Sequence, residues 1–220
     1  MKAPVEILEL DVSKDSSIFT AVEAVKTKYS KLDGKYYHPF LLGLGPSNHM
    51  TPKYLLTFNT VLINNAGIAL IPSSLTDFRH SYDTTFSTNI TSVALLTTAF
   101  MPLLNATPAP KVINVSSARG SLTRSTAGKL PPTAAVAHSV SKTALNALTI
   151  EFQKTEDASE HGKVRFYAVS PGHLKTAFNN FRGTKDPLDG AEVVARLVCE
   201  EREGGTFWEF EGGQMRNVPW

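Results

Sequence analysis

The sequence predicts an α/β fold in which helices cover both faces of a parallel β-sheet. Short apolar segments with the length of buried strands alternate with longer segments whose apolar residues recur at helical spacing. Such alternation is typical of parallel sheets, in which each strand is connected to the next through a helix. A chain of 220 residues can bury one hydrophobic core, so we expect residues 1–220 to form a single domain.

The predicted elements follow one another in a regular order. A β-prone segment at residues 5–10 predicts a first strand, and helical spacing then continues to about residue 31. Fully apolar or β-prone segments predict further strands at residues 61–64, 110–116, 163–169 and 206–210. Long helical patterns predict helices at residues 76–104, 135–154 and 191–200.

Composition and charge exclude several classes of function. The 22 basic and 20 acidic residues leave a net charge of +2, and no basic block with interleaved aromatic residues predicts nucleic-acid binding. The longest apolar run, residues 93–104, is far shorter than the roughly 20 residues that cross a bilayer. No apolar leader segment is recognisable, so we expect a cytoplasmic protein without a membrane partner. The single cysteine, Cys199, excludes an internal disulfide and is expected to pack inside a helix.

Residues 34–60 differ from the rest of the chain. This segment is rich in Gly and Pro and shows no sustained periodicity, which is unusual inside a compact domain. Its removal would join Asp33 directly to the strand that begins at Val61. We therefore interpret it either as a true irregular insert or as translated intron, since codons for Gly34-Lys35-Tyr36 can contain a eukaryotic 5′ splice signal.

Small polar residues follow three of the predicted strands, and ligands in open parallel sheets bind at that edge. The sequences are Asn64-Asn65-Ala66-Gly67, Asn114-Val115-Ser116-Ser117 and Ser170-Pro171-Gly172. Each of these is by itself also what an ordinary loop contains. Their order and spacing together are far more specific.

The chain resembles the short-chain dehydrogenase/reductase family. The resemblance rests on the three strand-end sequences above, on Asn89 within a helix, and on Ser141-Lys142 within the next helix. The C-terminal Thr-Phe-Trp-Glu-Phe sequence is similar to the carbonyl-reductase-like branch. The resemblance implies a Rossmann-like doubly wound parallel sheet and an NAD(P)-dependent oxidoreductase that acts on a carbonyl or alcohol substrate.

The resemblance also implies the residues of a dinucleotide site for NADP or NAD. It places Asn65, Ala66 and Gly67 along the adenosine half of the cofactor, and Pro171, Gly172 and Thr176 at the nicotinamide end. Asp11 and Val12 stand where the family contacts the adenine ring; a simple Asx turn of Asp11 at the strand end is the alternative.

The catalytic residues that the resemblance implies are Ser117, His138, Lys142 and Asn89. Ser117 would polarise the substrate carbonyl. Lys142 would hold the nicotinamide ribose, and Asn89 would anchor a path of water that supplies protons. No spacing among the histidines predicts a metal site.

His138 departs from the family pattern, because the family has tyrosine four residues before the lysine. Histidine titrates near a pKa of about 6.5 and is able to act as a general acid, whereas tyrosine has a pKa of about 10. The cation of Lys142 would disfavour the imidazolium form. Two interpretations stay open: His138 is a substitute acid in an altered enzyme, or it marks a catalytically silent relative.

The chain also lacks the start that the family has. No strand with a Gly-rich turn precedes residue 11, and Gly43-Leu44-Gly45 is followed by Pro46 without a helical pattern, so we interpret it as coincidence. We therefore expect an incomplete sheet without its first two strands, an open edge at residues 61–64, and compromised cofactor binding. A start codon placed too late would explain this absence.

Two classes of function follow from these observations. The first is a reductase or dehydrogenase for a small carbonyl or alcohol, with secondary metabolism as one setting. The second is a catalytically inactive relative that acts through protein–protein contacts, or an incomplete version of an active enzyme. The resemblance implies a homodimer or homotetramer formed through the two long helices.

Overall fold

A five-stranded sheet with the order β1-β2-β3-β4-β5 forms the centre of the chain. The computed structural model describes residues 7–29, 60–160 and 162–220. The strands are β1 (Val61–Asn64), β2 (Lys111–Val115), β3 (Arg165–Ser170), β4 (Thr206–Glu211) and β5 (Gln214–Asn217). The first four strands are parallel, and β5 is antiparallel to β4.

Within the described ranges, six α-helices and three short helical turns accompany these strands. The helices are α1 (Asp15–Tyr29), α2 (Phe78–Phe86), α3 (Ser92–Asn105), α4 (Leu122–Thr126), α5 (Val136–Asp157) and α6 (Pro187–Cys199). A π-helical turn (Ser87–Thr91) joins α2 to α3, and 3₁₀ turns span Ala118–Gly120 and Ala177–Asn179.

The core lies on both faces of the sheet, because successive strand residues point to opposite sides. On one face Leu62 and Phe166 pack with Ile18 of α1 and with buried residues of α3. On the other face Ile63 and Tyr167 pack against residues of α6. Buried strands between two layers of helices confirm the predicted Rossmann-like α/β class.

The strand predicted at residues 5–10 is wrong for its described part. Residues 7–10 adopt no regular structure, and Ile7 is almost fully exposed. A strand exists through its hydrogen bonds to a neighbouring strand, and none of the described strands pairs with this segment. Local β-propensity alone does not supply that partner.

The open edge predicted at β1 is present in the described sheet, where β1 pairs with β2 alone. All four β1 residues are nevertheless buried. The predicted insert, residues 34–60, lies outside the described residues except for Thr60.

Two further differences concern the C-terminal third of the chain. Helix α6 begins at Pro187, earlier than predicted, because Asp186 caps it by accepting a hydrogen bond from the Leu188 N–H and proline suits a first helical position. The hairpin of β4 and β5 turns through Gly212 and Gly213, both at positive φ. This Gly-Gly pair is a recognised signal of a two-residue hairpin that the sequence prediction did not use.

The segment Phe78–Asn105 is one continuous helical run that is long and apolar enough to cross a membrane by length and composition alone. Its inner side carries buried residues that include Thr85, Asn89 and Leu96. Leu96 belongs to the core on the sheet, so this run serves as a core helix of the fold. Cys199 at the end of α6 is exposed, so the prediction that this thiol packs as a buried helix residue is wrong.

Candidate active site

The carboxyl ends of β2 and β3 are tied together by backbone and side-chain hydrogen bonds. The Ser116 N–H donates to the Val169 carbonyl at 2.8 Å, and the Ala118 N–H donates to Ser170 Oγ at 3.0 Å. Ser117, between them, therefore lies beside the end of β3. This is the arrangement expected where neighbouring parallel strands end at one edge of the sheet.

Ser117 begins the 3₁₀ turn that follows β2. Its backbone is extended, and its Oγ accepts a hydrogen bond from the Arg119 N–H at 3.2 Å. Because the oxygen is the acceptor in this contact, the hydroxyl proton remains available to a ligand. Ser117 is thus able to donate to a carbonyl oxygen.

Gly120 lets this turn approach helix α5 closely. A Cβ at Gly120 would lie 2.7 Å from the Lys142 carbonyl oxygen and 2.9 Å from Asn146 Nδ2. Ser116 adds to the same contact by donating its hydroxyl to Asn146 Oδ1 at 2.6 Å. Only glycine fits at this position, so the distance between Ser117 and α5 is set by backbone packing.

Lys142 is a buried cation that points toward the end of β2. Lys142 is 5% exposed, and its Nζ donates a hydrogen bond to the Val115 carbonyl at 2.7 Å. Burial lowers the pKa of Lys142 to about 8, since the charged form loses water. An ammonium has three hydrogens, and within the described part of the chain this contact uses one of them.

Asn89 lies in the π-helical turn and is fully buried. Its Oδ1 accepts from the Ile68 N–H at 2.9 Å, and its Nδ2 donates to the Ile68 carbonyl at 2.9 Å and to Ser141 Oγ at 2.9 Å. The amide therefore joins the loop after β1 to helix α5. π-Helical turns frequently occur at functional sites, because the extra residue redirects side chains.

His138 lies one turn before Lys142 on α5 and is 9% exposed. Its Nδ1 is 3.2 Å from the Ile68 carbonyl, and the ring of Phe178 lies 5.5 Å away, centroid to centroid. Burial, and then the charge of Lys142, lower the pKa of His138 to about 4. The imidazole is therefore neutral at neutral pH.

Gly67 lies close to two of these side chains. A Cβ at Gly67 would lie 3.4 Å from Asn89 Oδ1 and 3.5 Å from Lys142 Nζ. The preceding residues Asn65 and Ala66 are exposed at the end of β1. The hydrogens left on the buried ammonium are able to bind hydroxyl groups of a ligand.

The loop after β3 contains Pro171, Gly172 and Thr176. Gly172 has a φ of +89°, which favours glycine, and a Cβ there would lie 2.9 Å from Lys185 Cδ. Lys185 forms an ion pair with Glu211 at 2.7 Å. Thr176 precedes the 3₁₀ turn that carries Phe178, so this loop brings an aromatic ring onto His138.

Asp11 and Val12 are not linked to this group of residues by the described contacts. Asp11 accepts hydrogen bonds from the Ser13 N–H and hydroxyl and pairs with Lys14, which together lower its pKa to about 2. This is the Asx turn that the sequence allowed as the simpler interpretation. Contact with an adenine ring remains a prediction for both residues.

Tyr82 and Tyr167 do not replace the missing tyrosine. Tyr82 stacks on Phe78 at 4.4 Å. The Tyr167 hydroxyl donates to the Arg202 carbonyl at 2.7 Å, and burial raises its pKa to about 12. None of these contacts involves Lys142.

Three contributors to the site were missed from the sequence. The Ile68 carbonyl accepts from both Asn89 and His138, Phe178 covers the imidazole, and Ser141 accepts from Asn89. A backbone carbonyl carries no signal in the residue type, and the position of Phe178 depends on the path of its loop. Ser141 precedes Lys142 in the sequence, but nothing in the sequence indicated its hydrogen bond with Asn89.

Comparison with known proteins agrees with this geometry. The family profile described as short chain dehydrogenase matches residues 59–186. A short-chain dehydrogenase/reductase from Aspergillus fumigatus is 35% identical over 237 aligned residues, which cover 99% of this chain and 78% of that protein. A second short-chain dehydrogenase/reductase, from Talaromyces stipitatus, is 29% identical, and the aligned region covers 90% of this chain and 69% of that protein.

Solved structures with the same fold include two carbonyl reductases. The carbonyl reductase Sniffer of Drosophila melanogaster superimposes with a TM-score of 0.70 and 23% identity, covering 98% of this chain and 78% of its own. The NADPH-bound carbonyl reductase from chicken fatty liver gives a TM-score of 0.67 and 23% identity, covering 98% and 77%. At this identity the likeness concerns the fold.

Proposed function

Because the chain belongs to the short-chain dehydrogenase family, we propose that it interconverts a carbonyl and an alcohol with a nicotinamide dinucleotide. One observation carries this proposal: the ammonium of Lys142 is buried close to Gly67 at the end of β1, with hydrogens not used by the described contacts. A buried charge costs free energy unless a partner compensates it. A bound ribose would supply such a partner.

In this proposal Lys142 holds the ribose hydroxyls, and Gly67 with Asn65 and Ala66 lets the ligand approach the end of β1. Pro171, Gly172 and Thr176 border the nicotinamide end, and Asp11 with Val12 borders the adenine. The bound nicotinamide supplies or accepts a hydride. The described residues contain no Gly-rich turn that would bind the pyrophosphate, so we expect weaker binding than a complete phosphate site provides.

Ser117 would orient the substrate, because its hydroxyl proton is able to bind the carbonyl oxygen where negative charge develops. His138 takes the position of the proton-transfer group, and Asn89 holds it in place through Ile68. The ring of Phe178 lies against the imidazole, 5.5 Å away from centroid to centroid. A substrate with an apolar part beside its carbonyl would suit this contact.

Calorimetry with NADPH and with NADH tests the proposal first. We expect micromolar to millimolar binding of at least one of them, with an affinity that falls at least tenfold in Lys142→Ala. Lys129→Ala removes an exposed lysine from the turn after α4 and is the matched control, expected to bind as the parent does. Binding of neither dinucleotide would refute the proposed function for this chain.

Turnover of a panel of carbonyl and alcohol substrates separates an enzyme from a silent relative. Absorbance of the reduced nicotinamide follows the reaction in both directions. Binding without turnover by the parent, together with turnover by His138→Tyr, would favour the silent alternative. NADP or NAD preference, the substrate and a role in secondary metabolism are the finer parts of the proposal that these measurements address.

Assembly as a homodimer or homotetramer through Phe78–Asn105 and α5 also belongs to the proposal, as does a cytoplasmic location. Exposed apolar residues on these helices support the proposed assembly; they are Phe78, Val136 and Val140. Light scattering of the purified chain measures its mass directly. A monomer at micromolar concentration would contradict this part.

A further inference from the structure

We infer that His138 is fixed as the tautomer with hydrogen on Nδ1, so that Nε2 is the base that accepts the proton of an alcohol. The inference rests on the proposed function, which names the site but not the protonation state of His138. It concerns this chain in particular, because the family has tyrosine at this position.

The tautomer follows from the hydrogen-bonding chemistry of Ile68. Its carbonyl oxygen is 3.2 Å from His138 Nδ1 and 2.9 Å from Asn89 Nδ2. A carbonyl oxygen only accepts hydrogen bonds, so Nδ1 must carry the hydrogen in this contact. In the neutral ring Nε2 is then left with a lone pair and no hydrogen.

The position of the Ile68 carbonyl is itself fixed. Asn89 Oδ1 accepts from the Ile68 N–H, which only donates, so the amide of Asn89 has one possible orientation. Its Nδ2 therefore faces the Ile68 carbonyl and Ser141 Oγ. Ser141 Oγ donates in turn to the His138 carbonyl at 2.8 Å. Asn89 is thus a positioning residue that acts on His138 through Ile68.

The second ring nitrogen is open to a ligand. Within the described part of the chain Nε2 has no hydrogen-bond partner, and it is not among the fully buried side-chain atoms without one. Phe178 covers the ring at an interplanar angle of 58°. Nε2 is therefore a hydrogen-bond acceptor that a substrate hydroxyl is able to reach.

The groups around the ring oppose its protonation. Lys142 lies on the same helix, Arg119 lies on the turn after β2, and both are cations whose charge acts against imidazolium. Burial acts in the same direction and is the largest cause, and the contact with the Ile68 carbonyl opposes it. With a pKa of about 4, about one molecule in a thousand carries imidazolium at pH 7.

The proposed step is balanced as an alcohol oxidation. The O–H bond of the alcohol breaks and its proton passes to His138 Nε2, while the carbinol C–H bond breaks and its electron pair leaves as hydride. The oxidised nicotinamide dinucleotide is the hydride acceptor, and a carbonyl forms. The imidazolium then releases its proton to water. Carbonyl reduction needs the same proton to be present on Nε2 beforehand.

Nitrogen NMR tests the tautomer without any cofactor. Long-range ¹H–¹⁵N correlation spectra of the ¹⁵N-labelled free protein at pH 7 should show His138 as a neutral ring with hydrogen on Nδ1. Comparison with His138→Gln assigns the signals among the six histidines. In Asn89→Ala the ring should lose this single tautomer. A charged ring, or hydrogen on Nε2, would overturn the inference.

The pH dependence of turnover tests the role of neutral His138 as a base. Between about pH 5 and 8 the kcat/KM for carbonyl reduction should fall about tenfold per pH unit, and the kcat/KM for alcohol oxidation should stay level. In His138→Tyr, whose phenol holds its proton in this range, reduction should become level and oxidation should rise with pH. Reduction that stays level in the parent would contradict the assigned role.

The two tests separate this inference from the proposed function. If neither dinucleotide binds, the proposed function fails, while the NMR result still decides the tautomer. If a dinucleotide binds and turns over but the ring carries hydrogen on Nε2, the function stands and the inference fails.

Discussion

At the scale of one residue, the burial of the Lys142 ammonium is unfavourable for the stability of the folded chain. Burial lowers its pKa to about 8, whereas in the unfolded chain the amine keeps its ordinary value of 10.5. Below pH 8 both states carry the proton, so the folded chain holds a charge that has lost its water. Stability should therefore rise as the pH increases from about 8 to 10.5, where the folded state alone has released the proton.

Replacing this charge should stabilise the free protein. We expect Lys142→Met to raise the free energy of unfolding at pH 7 by about 2 kcal/mol, because an apolar side chain of similar length suits the buried position. Urea unfolding at pH 7 and at pH 9.5 measures the effect, which should shrink at the higher pH. Lys129→Met is the control for an exposed lysine. A loss of stability would show that the hydrogen bond to Val115 outweighs the desolvation of the charge.

Contacts of the turn after β2 show how an element, and not one residue, positions Ser117. The turn touches α5 so closely that a Cβ at Gly120 would overlap the Lys142 carbonyl oxygen, a backbone atom that cannot rotate away. Movement of the turn or of the helix is the way to relieve such an overlap. Either movement would shift Ser117 relative to Lys142.

Gly120→Ala should therefore impair turnover more than it impairs dinucleotide binding. We expect a loss of about 2 kcal/mol in unfolding free energy from overpacking, and a fall in kcat of at least tenfold. Gly128→Ala is the comparison: nothing lies within 4 Å of the added carbon, although Gly128, unlike Gly120, has a positive φ of +65°. Equal effects of both substitutions on kcat would argue against a role for the close contact.

At this same scale the sequence predicted some features well and others poorly. The apolar runs that became β1, β2 and β3 were predictable, since burial on both faces of a sheet favours apolar residues at most strand positions. Residues 7–10 were not, because a strand depends on a partner that local residue type does not reveal. Site residues such as Asn89 and Lys142 were predicted through the family resemblance, whereas the role of the Ile68 carbonyl was not predicted, since every residue has a carbonyl.

The C-terminal residues connect the sheet to the site at the scale of the whole molecule. The Val218 N–H donates to the Phe207 carbonyl in β4, and the ring of Trp220 stacks on Phe207 at 5.5 Å. The Trp220 carbonyl accepts from the Thr123 N–H at the start of α4. Arg124 of α4 adds a two-point ion pair with Glu209. Helix α4 directly follows the turn of Ser117. Through their contacts with α4, residues 218–220 therefore help to hold this turn in position.

Removal of residues 218–220 should weaken the molecule and the site together. Loss of the buried Val218 side chain and of the Trp220–Phe207 stack should lower the unfolding free energy by about 3 kcal/mol. Turnover should fall further than dinucleotide affinity. Thermal unfolding and steady-state kinetics measure both effects. Arg124→Met, which keeps the C-terminal contacts, should give an intermediate result. Unchanged kinetics in the truncated chain would contradict a role of residues 218–220 in positioning the site.

The stack of Trp220 on Phe207 also makes the molecule its own optical sensor. The sequence contains two tryptophans, and the other, Trp208, lies under the guanidinium of Arg202 at 4.4 Å. In a Trp208→Phe background, the remaining indole would emit from the one place where β4, α4 and the chain terminus touch. Its fluorescence would thus register detachment of that terminus before the rest of the fold melts, and would do so during catalysis without an added label.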